Sequence, residues 1–368
     1  MTEERGYDYW KCMMHRPPLF STVRVNTLNI SMKSAKERLE QLFVKNGCGD
    51  LLVAYHPLLS DVLVIEGRGP VLLIPEQSLE IYVDRKCGNA VARGACLYAT
   101  GILGSNRLWM DVEKKCLKGR CQLFEGKKAF LGNGRVLFDR KRLYSTNEEM
   151  PRGVGVEITS RVWVHPSLSE IIEDWGYAQN LPSIYCGYAL DPQPGETLLD
   201  MCAAPGGKST HLAQLMNDEG NVTCLDHNEN RLRQLQQNAQ RLRLQCIRPF
   251  RFDACRAQRS SSTAADMWDG HLPPFPPATF DRILVDAPCS ARGLRPTTLT
   301  FPQSQMRSFP ILQRKILEQA VGLLKPGGTL VFSTCTLLPQ ENEEQLEWLL
   351  RRFPQMSLSS IKIKRRFL

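Results

Sequence analysis

Apolar and polar residues in the second half of the chain follow two alternating patterns. Short apolar runs predict strands at 197–201, 221–225, 246–250, 281–286 and 329–333, and helical spacing predicts helices at 207–216, 228–242, 310–324 and 341–353. A further helix is predicted at 167–179, and a Ser- and Pro-rich stretch at 256–279 predicts a surface loop. This alternation is typical of an α/β fold with a Rossmann-like, doubly wound and mainly parallel sheet.

The first half of the chain shows a different pattern. A β-branched run at 21–27, an amphipathic helix at 33–45 and strand-like runs at 51–55 and 61–66 predict a small α+β segment. Beyond residue 82, short strands broken by glycines at 96–99, 129–131, 135–138 and 155–158 predict a compact β-rich barrel. We therefore predict three domains, at 1–82, 83–162 and 163–368.

The stretch 198–210, LLDMCAAPGGKST, joins a strand to a helix through a glycine turn. Such a turn presents backbone N–H groups and a helix N-terminus to a ligand at the carboxyl edge of a sheet. A P-loop is excluded because Cys202 stands where its first glycine would be, and a dinucleotide fingerprint is absent. Asp226 ends the next strand, where an acid can bind ribose hydroxyls. A nucleoside without a pyrophosphate satisfies these features, and S-adenosylmethionine is the commonest such cofactor.

Three blocks in this half resemble the signatures of a known family. The blocks CAAPGGK at 202–208, VDAPCS at 285–290 and FSTCT at 332–336 are similar to those of RNA (cytosine-5)-methyltransferases of the nucleolar-protein/Sun family. Residues 83–162 resemble a PUA domain, with GACLYATG at 94–101 at the position of the family's loop and Thr100 in place of its proline. The resemblance implies methyl transfer from S-adenosylmethionine to C5 of an RNA cytosine, near the 3′ acceptor end of tRNA.

The chemistry of that reaction requires a strong nucleophile. Cytosine C5 accepts a methyl group only after a nucleophile has added to C6, and a thiolate is the best side chain for this. Cys289 and Cys335 each follow a predicted strand, so the two thiols can converge on one base. The resemblance makes Cys335 the nucleophile and Cys289 the residue that helps to eliminate it. It also places Lys208 in the active site, and Asp286 can hydrogen-bond the cytosine edge and support protonation at N3.

The same resemblance assigns the cofactor site. Asp226 is expected to bind the ribose hydroxyls, and Asp253 the adenine amino group. Ala291 stands where the family has glycine, which predicts a tighter turn after Cys289. The predicted cofactor-binding residues are Cys202, Ala203, Ala204, Pro205, Gly206, Gly207, Lys208, Asp226, Asp253 and Asp286.

A formal net charge of +9 favours a polyanionic partner, although a solvated basic surface would give the same value. On the position of the PUA-like loop and the logic of aromatic stacking and phosphate contacts, Arg93, Tyr98 and Lys118 are the candidates for RNA binding. The alternatives are a core aromatic for Tyr98 and a solvated turn for Lys118. The positive charge clusters at Lys114, Lys115, Lys118, Arg120, Lys127, Lys128, Arg135, Arg140, Lys141 and Arg142.

Other classes of protein are disfavoured by the sequence. No uncharged apolar run approaches the roughly 18 residues of a membrane span, and the charged start lacks the apolar core of a secretory signal. The 13 cysteines lack the paired spacing of a zinc site and suggest a reducing compartment. We therefore expect a cytoplasmic monomer that holds no metal and binds tRNA, with other RNA as a further possible substrate.

The end of the chain gives rise to the alternative function. The tail after residue 353 is too short and too basic for the final antiparallel hairpin of a seven-stranded methyltransferase sheet, which predicts a C-terminally truncated form. An RNA-binding protein that does not catalyse, because the shortened sheet cannot hold the cofactor, is therefore the alternative. A protein or DNA methyltransferase is a third option, against which the PUA-like segment argues.

Overall fold

The structure, a computed structural model, describes residues 16–45, 49–71, 74, 80–98, 102–105, 130–137, 153–166, 168, 172, 174–259, 272–296 and 303–361. None of the helices in these ranges is long and apolar enough to cross a bilayer.

The N-terminal part forms an antiparallel sheet covered by one helix. Its elements are β1 (Phe20–Val25), α1 (Met32–Lys45), β2 (Val53–Tyr55) and β3 (Val62–Glu66), as the apolar patterns predicted. The strand order is β2-β3-β1-β9, in which β9 is Gly176–Ala178. Helix α1 buries Ala35, Leu39 and Phe43, which recur at helical spacing.

The position of β9 corrects one prediction. A helix at 167–179 is wrong over Gly176–Ala178, which pairs antiparallel with Val25, Arg24 and Val23 of β1. The backbone groups of β1 have hydrogen-bonding partners on only one side without β9, so tertiary pairing overrides the local helical spacing. Residues 167, 169–171 and 173 of that predicted helix lie outside the described residues.

The middle part consists of short antiparallel strands around one helix. Its elements are β4 (Ile81–Val83), α2 (Arg85–Ala92), β5 (Leu97–Tyr98), β6 (Ile102–Ser105), β7 (Gly132–Val136) and β8 (Val154–Arg161). β4 pairs with β6, and β5, β8 and β7 form a second sheet in that order. Val91, Leu97 and Val156 are buried together. The predicted strand at 129–131 is misplaced, because the ladder with β8 begins at Gly132; residue 129 lies outside the described residues.

The second half of the chain forms the predicted doubly wound sheet. Five strands, all parallel to their neighbours, run in the order β12-β11-β10-β13-β14. Successive residues point to opposite faces, so Leu198 and Leu199 enter different apolar clusters on the two sides of the sheet. The elements are α3 (Leu181–Leu190), β10 (Thr197–Asp200), α4 (Gly207–Leu215), β11 (Asn221–Asp226), α5 (Glu229–Arg241), β12 (Ile247–Arg251), β13 (Phe280–Asp286), α6 (Gln303–Leu323), β14 (Leu324–Ser333) and α7 (Glu343–Arg352).

Four details of this half differ from the prediction. Helix α3 was not predicted, and α6 begins before Pro310, which lies inside the helix. The helix predicted at 341–353 is present as α7, Glu343–Arg352, and a short 3-10 turn, Pro339–Glu341, precedes it. The predicted loop at 256–279 is anchored in the core at its end, because Phe275 is 2% exposed and packs edge-on against Phe280; residues 260–271 lie outside the described part.

A buried polar network docks the N-terminal sheet on helix α4. Arg24 of β1, fully buried, donates to Gln214 at 2.5 Å and to Thr210 at 2.8 Å, both on α4. Asp61 contacts His211 of the same helix at 3.2 Å and accepts from Tyr188 at 2.6 Å. Buried polar groups in such a network restrict the helix to one position. Helix α4, which begins at the glycine turn, is therefore held in place by the N-terminal sheet.

Candidate active site

Polar side chains end the neighbouring strands at the carboxyl edge of the parallel sheet. Asp200 ends β10, Asp226 ends β11, Asp286 ends β13 and Ser333 ends β14. Asp286 and Ser333 are register partners in the ladder between β13 and β14. This is the edge at which open α/β sheets bind ligands.

The carboxylate of Asp286 is held on both oxygens. Lys208, the second residue of α4, donates from Nζ to Oδ2 at 2.7 Å, and Ser333 donates from Oγ to Oδ1 at 2.7 Å. Burial opposes the charge of Lys208, but Asp286 and other acidic groups outweigh burial, and the pKa of Lys208 is raised. The predicted partners Lys208 and Asp286 are thus a fixed ion pair with an ammonium that stays charged.

The two predicted catalytic thiols meet, as the strand ends indicated. Cys289 Sγ and Cys335 Sγ are 3.1 Å apart, and the backbone N–H of Cys335 points to Cys289 Sγ at 3.2 Å. Gly293 N–H donates to the Cys335 carbonyl at 2.8 Å and so joins the two loops a second time. The pair is partly accessible, with Cys335 exposed and Cys289 half-buried. A flat base could therefore reach both sulfurs.

The two thiols share one negative charge unequally. The hydrogen bond from Cys335, together with the backbone N–H groups of Ala291 and Cys335, lowers the pKa of Cys289 to about 7, against burial and the charge of Glu341. The same contact with Cys289, with burial and Asp286, raises the pKa of Cys335. When the pair carries a single proton, that proton therefore resides on Cys335 and the charge on Cys289.

The turn after Cys289 contains a residue with a strained backbone conformation. Ala291 has a φ of 55°, in the left-handed region where glycine is favoured. The backbone N–H of this residue is one of the groups that lower the pKa of Cys289.

Asp200 fixes the glycine turn through two hydrogen bonds. Its carboxylate accepts from Ser209 Oγ at 2.8 Å and from the backbone N–H of Cys202 at 3.3 Å. Burial raises the pKa of Asp200 to about 7. Gly206 has a φ of 102°, and a Cβ there would lie 3.0 Å from Leu235, so both conformation and space require glycine. Ala203, Ala204 and Pro205 lie in the same loop between β10 and α4, and Gly207 is the first residue of α4.

The other two predicted cofactor acids differ in environment. Asp226 is buried and accepts from the backbone N–H of Asn228 at 2.9 Å, and Arg231 lies 3.3 Å from its other oxygen. Asp253, whose side chain is 57% exposed, accepts from the backbone N–H of Cys255 at 3.0 Å just after β12. Both acids therefore lie on the ligand edge of the sheet, but only Asp226 is enclosed.

The electrostatics of this edge favour a cationic ligand. The Cys202 thiol lies in the turn, and its pKa is raised well above the usual value by burial and then by the charges of Asp200, Asp286 and Asp226. Burial is the main cause and Arg231 acts in the opposite direction, so the three acidic groups are one contribution that favours a cation over an anion there.

The predicted RNA-binding residues lie away from the thiols, in the middle part of the chain. Arg93 caps the end of α2 and Tyr98 lies on β5, and both are exposed. The core-aromatic alternative is wrong for Tyr98, whose exposure is 44%. Arg135, on β7, forms an ion pair with Glu157 at 2.6 Å. Lys118 and the rest of the basic cluster, namely Lys114, Lys115, Arg120, Lys127, Lys128, Arg140, Lys141 and Arg142, lie outside the described residues.

Several side chains of the site were missed by sequence reasoning. Ser333 belongs to a block that the sequence singled out, so its hydroxyl at a strand end was a usable signal. Cys186 on α3 gave no such signal, and its thiol donates to the Pro182 carbonyl at 3.3 Å. Burial raises the pKa of this thiol, and the nearby Lys208 and Asp286 also affect it. Within the described residues there is no cluster of His, Cys, Asp or Glu that could hold a metal ion.

Comparison with known proteins adds four matches: one family, two relatives and one solved structure. Residues 187–366 match the family described as 16S rRNA methyltransferase RsmB/F. The tRNA (cytosine(72)-C(5))-methyltransferase NSUN6 of Mus musculus is 43% identical over 366 residues, which cover 96% of this chain and 76% of that protein. The tRNA (cytosine(72)-C(5))-methyltransferase of Pyrococcus horikoshii is 32% identical over 93% of this chain and 81% of that protein. The crystal structure of NSun6 from Pyrococcus horikoshii with SFG has a TM-score of 0.73 at 30% identity and covers 95% of this chain and 84% of that one.

Proposed function

The chain belongs to the RsmB/F family of RNA (cytosine-5)-methyltransferases, and from this membership we propose that it uses S-adenosylmethionine to methylate C5 of a cytosine near the 3′ acceptor end of tRNA. The names of two of its relatives give their target as cytosine 72 of tRNA, and we propose the same position here. The observation that carries the proposal is the 3.1 Å approach of Cys289 and Cys335 next to the Lys208–Asp286 pair.

The first half of the reaction forms the Cys335 thiolate, adds it to the base and methylates C5. As the base binds, the Cys335 proton passes to Cys289 across the short contact between the sulfurs, and the Cys335 thiolate adds to C6. The electron pair of the C5=C6 bond then becomes available at C5. Asp286, oriented by Lys208 and Ser333, accepts hydrogen bonds from the cytosine edge and so holds the base in place for the attack on C6. S-adenosylmethionine, when bound, supplies an electrophilic methyl group to C5.

The second half releases the product. Cys289 loses its proton to solvent, which a pKa of about 7 allows at neutral pH, and its thiolate then takes the proton from C5. The C5–H electron pair restores the C5=C6 bond, and the C6–S bond breaks with its pair on Cys335. The overall reaction thus releases one proton, and the sulfur pair keeps one.

The residues of the sheet edge support the cofactor assignment. Three carboxylates around Cys202 favour the sulfonium charge, Asp226 would accept from the ribose, and Asp253 would accept from the adenine amino group. A related structure carries SFG, an analogue of S-adenosylmethionine. We propose that the middle part of the chain grips the tRNA end with Arg93, Tyr98 and Lys118, by stacking and phosphate contacts.

A methylation assay tests the proposal directly. The protein is incubated with a tRNA transcript that ends in CCA and with methyl-labelled S-adenosylmethionine, and the label is mapped by nucleoside analysis and sequencing. We expect 5-methylcytosine at one acceptor-stem position, no label with Cys335→Ala, and a covalent RNA adduct with Cys289→Ala. Absence of labelled cytosine would reject the proposal. Label of equal strength on tRNA lacking CCA would reject the role of the tRNA end.

Calorimetry separates catalysis from RNA binding alone. The protein is titrated with S-adenosylmethionine, and we expect a single binding event that Asp226→Ala weakens. Tight tRNA binding without any cofactor binding would favour the non-catalytic alternative.

A further inference from the structure

A buried carboxylate lies directly behind the loop that carries Cys289. Glu341 ends the 3-10 turn Pro339–Glu341, between β14 and α7, and is 1% exposed. Its Oε2 accepts the backbone N–H of Ser290 at 2.9 Å. Because Ser290 follows Cys289 in the chain, this hydrogen bond fixes the backbone from which the Cys289 thiol projects.

A buried amide secures the other side of the same loop. Gln313 of α6 is fully buried, and its Nε2 donates to the Pro288 carbonyl at 3.0 Å and to Glu341 Oε2 at 3.2 Å. The residues before and after Cys289 are therefore both held by one Glu341–Gln313 unit. Among the described residues, neither Glu341 nor Gln313 forms a hydrogen bond to Lys208 or Asp286.

A third contact joins this loop to the turn of the other thiol. Ser290 Oγ and Thr336 Oγ1 are 2.9 Å apart, and both residues are buried. Each hydroxyl belongs to the residue that follows a catalytic cysteine. The distance between the two sulfurs is thus set by buried groups in the loops after β13 and β14, on α6 and in the turn before α7.

A packing role alone would not need a carboxylate at this place. Burial of a carboxylate is unfavourable, and Glu341 Oε1 has no hydrogen-bond partner among the described residues. Its charge also opposes ionisation of Cys289, which keeps that thiolate a stronger base. An unfavourable group that acts on a reacting residue is typical of functional rather than structural placement.

We propose that Glu341, with Gln313, is a positioning residue for product release: it holds Cys289 where its sulfur takes the C5 proton of the methylated cytosine. This inference rests on the proposed function, since it assigns Glu341 to the second half of that reaction. In this step the Cys289 thiolate gains the C5 proton, the C5–H pair forms the C5=C6 bond, and Cys335 departs with the C6–S pair. Displacement of Cys289 slows this step and leaves the attack by Cys335 intact.

The test compares the covalent adduct with the rate of methyl transfer. Glu341→Ala, Glu341→Gln and the control Glu344→Ala, an exposed residue on α7, are each mixed with tRNA and S-adenosylmethionine. Single-turnover methyl transfer, steady-state turnover and the protein–RNA adduct on denaturing gels are then measured. For Glu341→Ala we expect adduct accumulation and steady-state turnover lower by about tenfold or more, with methyl transfer in the first turnover changed far less.

The conservative variant separates geometry from charge. Glu341→Gln keeps an acceptor oxygen for Ser290 N–H, so it should recover most of the turnover and clear the adduct. The negative charge of Glu341 raises the pKa of Cys289, and Glu341→Gln removes that charge. The pH midpoint of product release should therefore move to lower pH in this variant. The other groups that act on Cys289 are the Cys335 thiol and the N–H groups of Ala291 and Cys335, and they are the same in Glu341→Gln and in the unaltered protein. A purely structural role would leave that midpoint unchanged.

The outcomes distinguish this inference from the proposed function. If the unaltered protein makes no 5-methylcytosine, or Cys289→Ala traps no adduct, the proposed function fails. If both behave as expected but Glu341→Ala loses methyl transfer and adduct in proportion, or turns over normally, only the role of Glu341 fails. Should Glu341→Ala not fold, Gln313→Leu provides the same comparison, and reduced turnover without adduct accumulation would overturn the inference.

Discussion

The hydroxyl of Ser333 offers a sharp test of how Asp286 is oriented. Ser333→Ala removes one donor to the Asp286 carboxylate and leaves Lys208 on the other oxygen. Hydrogen bonds to charged groups contribute about 1.5–3 kcal/mol. The side chain of Asp286 is 31% exposed, so the lower end, about 1.5 kcal/mol, applies, which corresponds to a rate about tenfold lower.

The loss should fall on the first half of the reaction. In the proposed mechanism Asp286 contacts the base while Cys335 attacks, so we expect single-turnover methyl transfer to slow about tenfold without accumulation of adduct. Ser357→Ala, at an exposed position beyond α7, is the matched control. Thermal unfolding followed by circular dichroism checks that Ser333→Ala folds. Single-turnover rates within twofold of the unaltered protein would refute the reasoning, as would a trapped adduct like that of Cys289→Ala.

Three further predictions follow from the site. Because Cys289 acts as a base only when ionised and has a pKa of about 7, steady-state turnover should fall about tenfold per pH unit below 7; a flat profile from pH 5.5 to 7 would contradict this role. Ala291→Gly should raise the free energy of unfolding in urea by about 0.5–1 kcal/mol, because φ is 55°; a decrease would show that the turn is unstrained. Burial raises the pKa of Asp200 from 3.8 to about 7, so between these pH values the folded chain binds a proton that the unfolded chain has lost. The free energy of unfolding should therefore fall as the pH rises from 3.8 to 7, by at most about 1.4 kcal/mol per pH unit. Asp200→Asn should flatten this slope in cofactor-free unfolding experiments; equal slopes in the two proteins would count against a raised pKa.

The sequence alone determined the catalytic sheet, because strand and helix periodicities are local properties. Alternating apolar runs predicted β10 to β14. Because Cys289 and Cys335 each follow a predicted strand, the sequence also placed both thiols at the carboxyl edge of the sheet. The glycine turn with its following helix was equally readable, since Gly206 needs a conformation that other residues avoid. Family resemblance supplied the roles of the two thiols, which the pattern by itself did not.

Only the tertiary structure decided which groups act on those residues. β9 was mistaken for helix because its pairing partner, β1, lies about 150 residues away and local spacing cannot report such a pairing. Glu341 reaches Ser290 across 51 positions, and Gln313 reaches Pro288 across 25. These contacts exist because parallel strands need long crossover connections, which bring distant loops to the same sheet edge. A periodicity in the sequence indicates which face is buried, whereas the partner that a buried polar group finds depends on the packing of the whole domain.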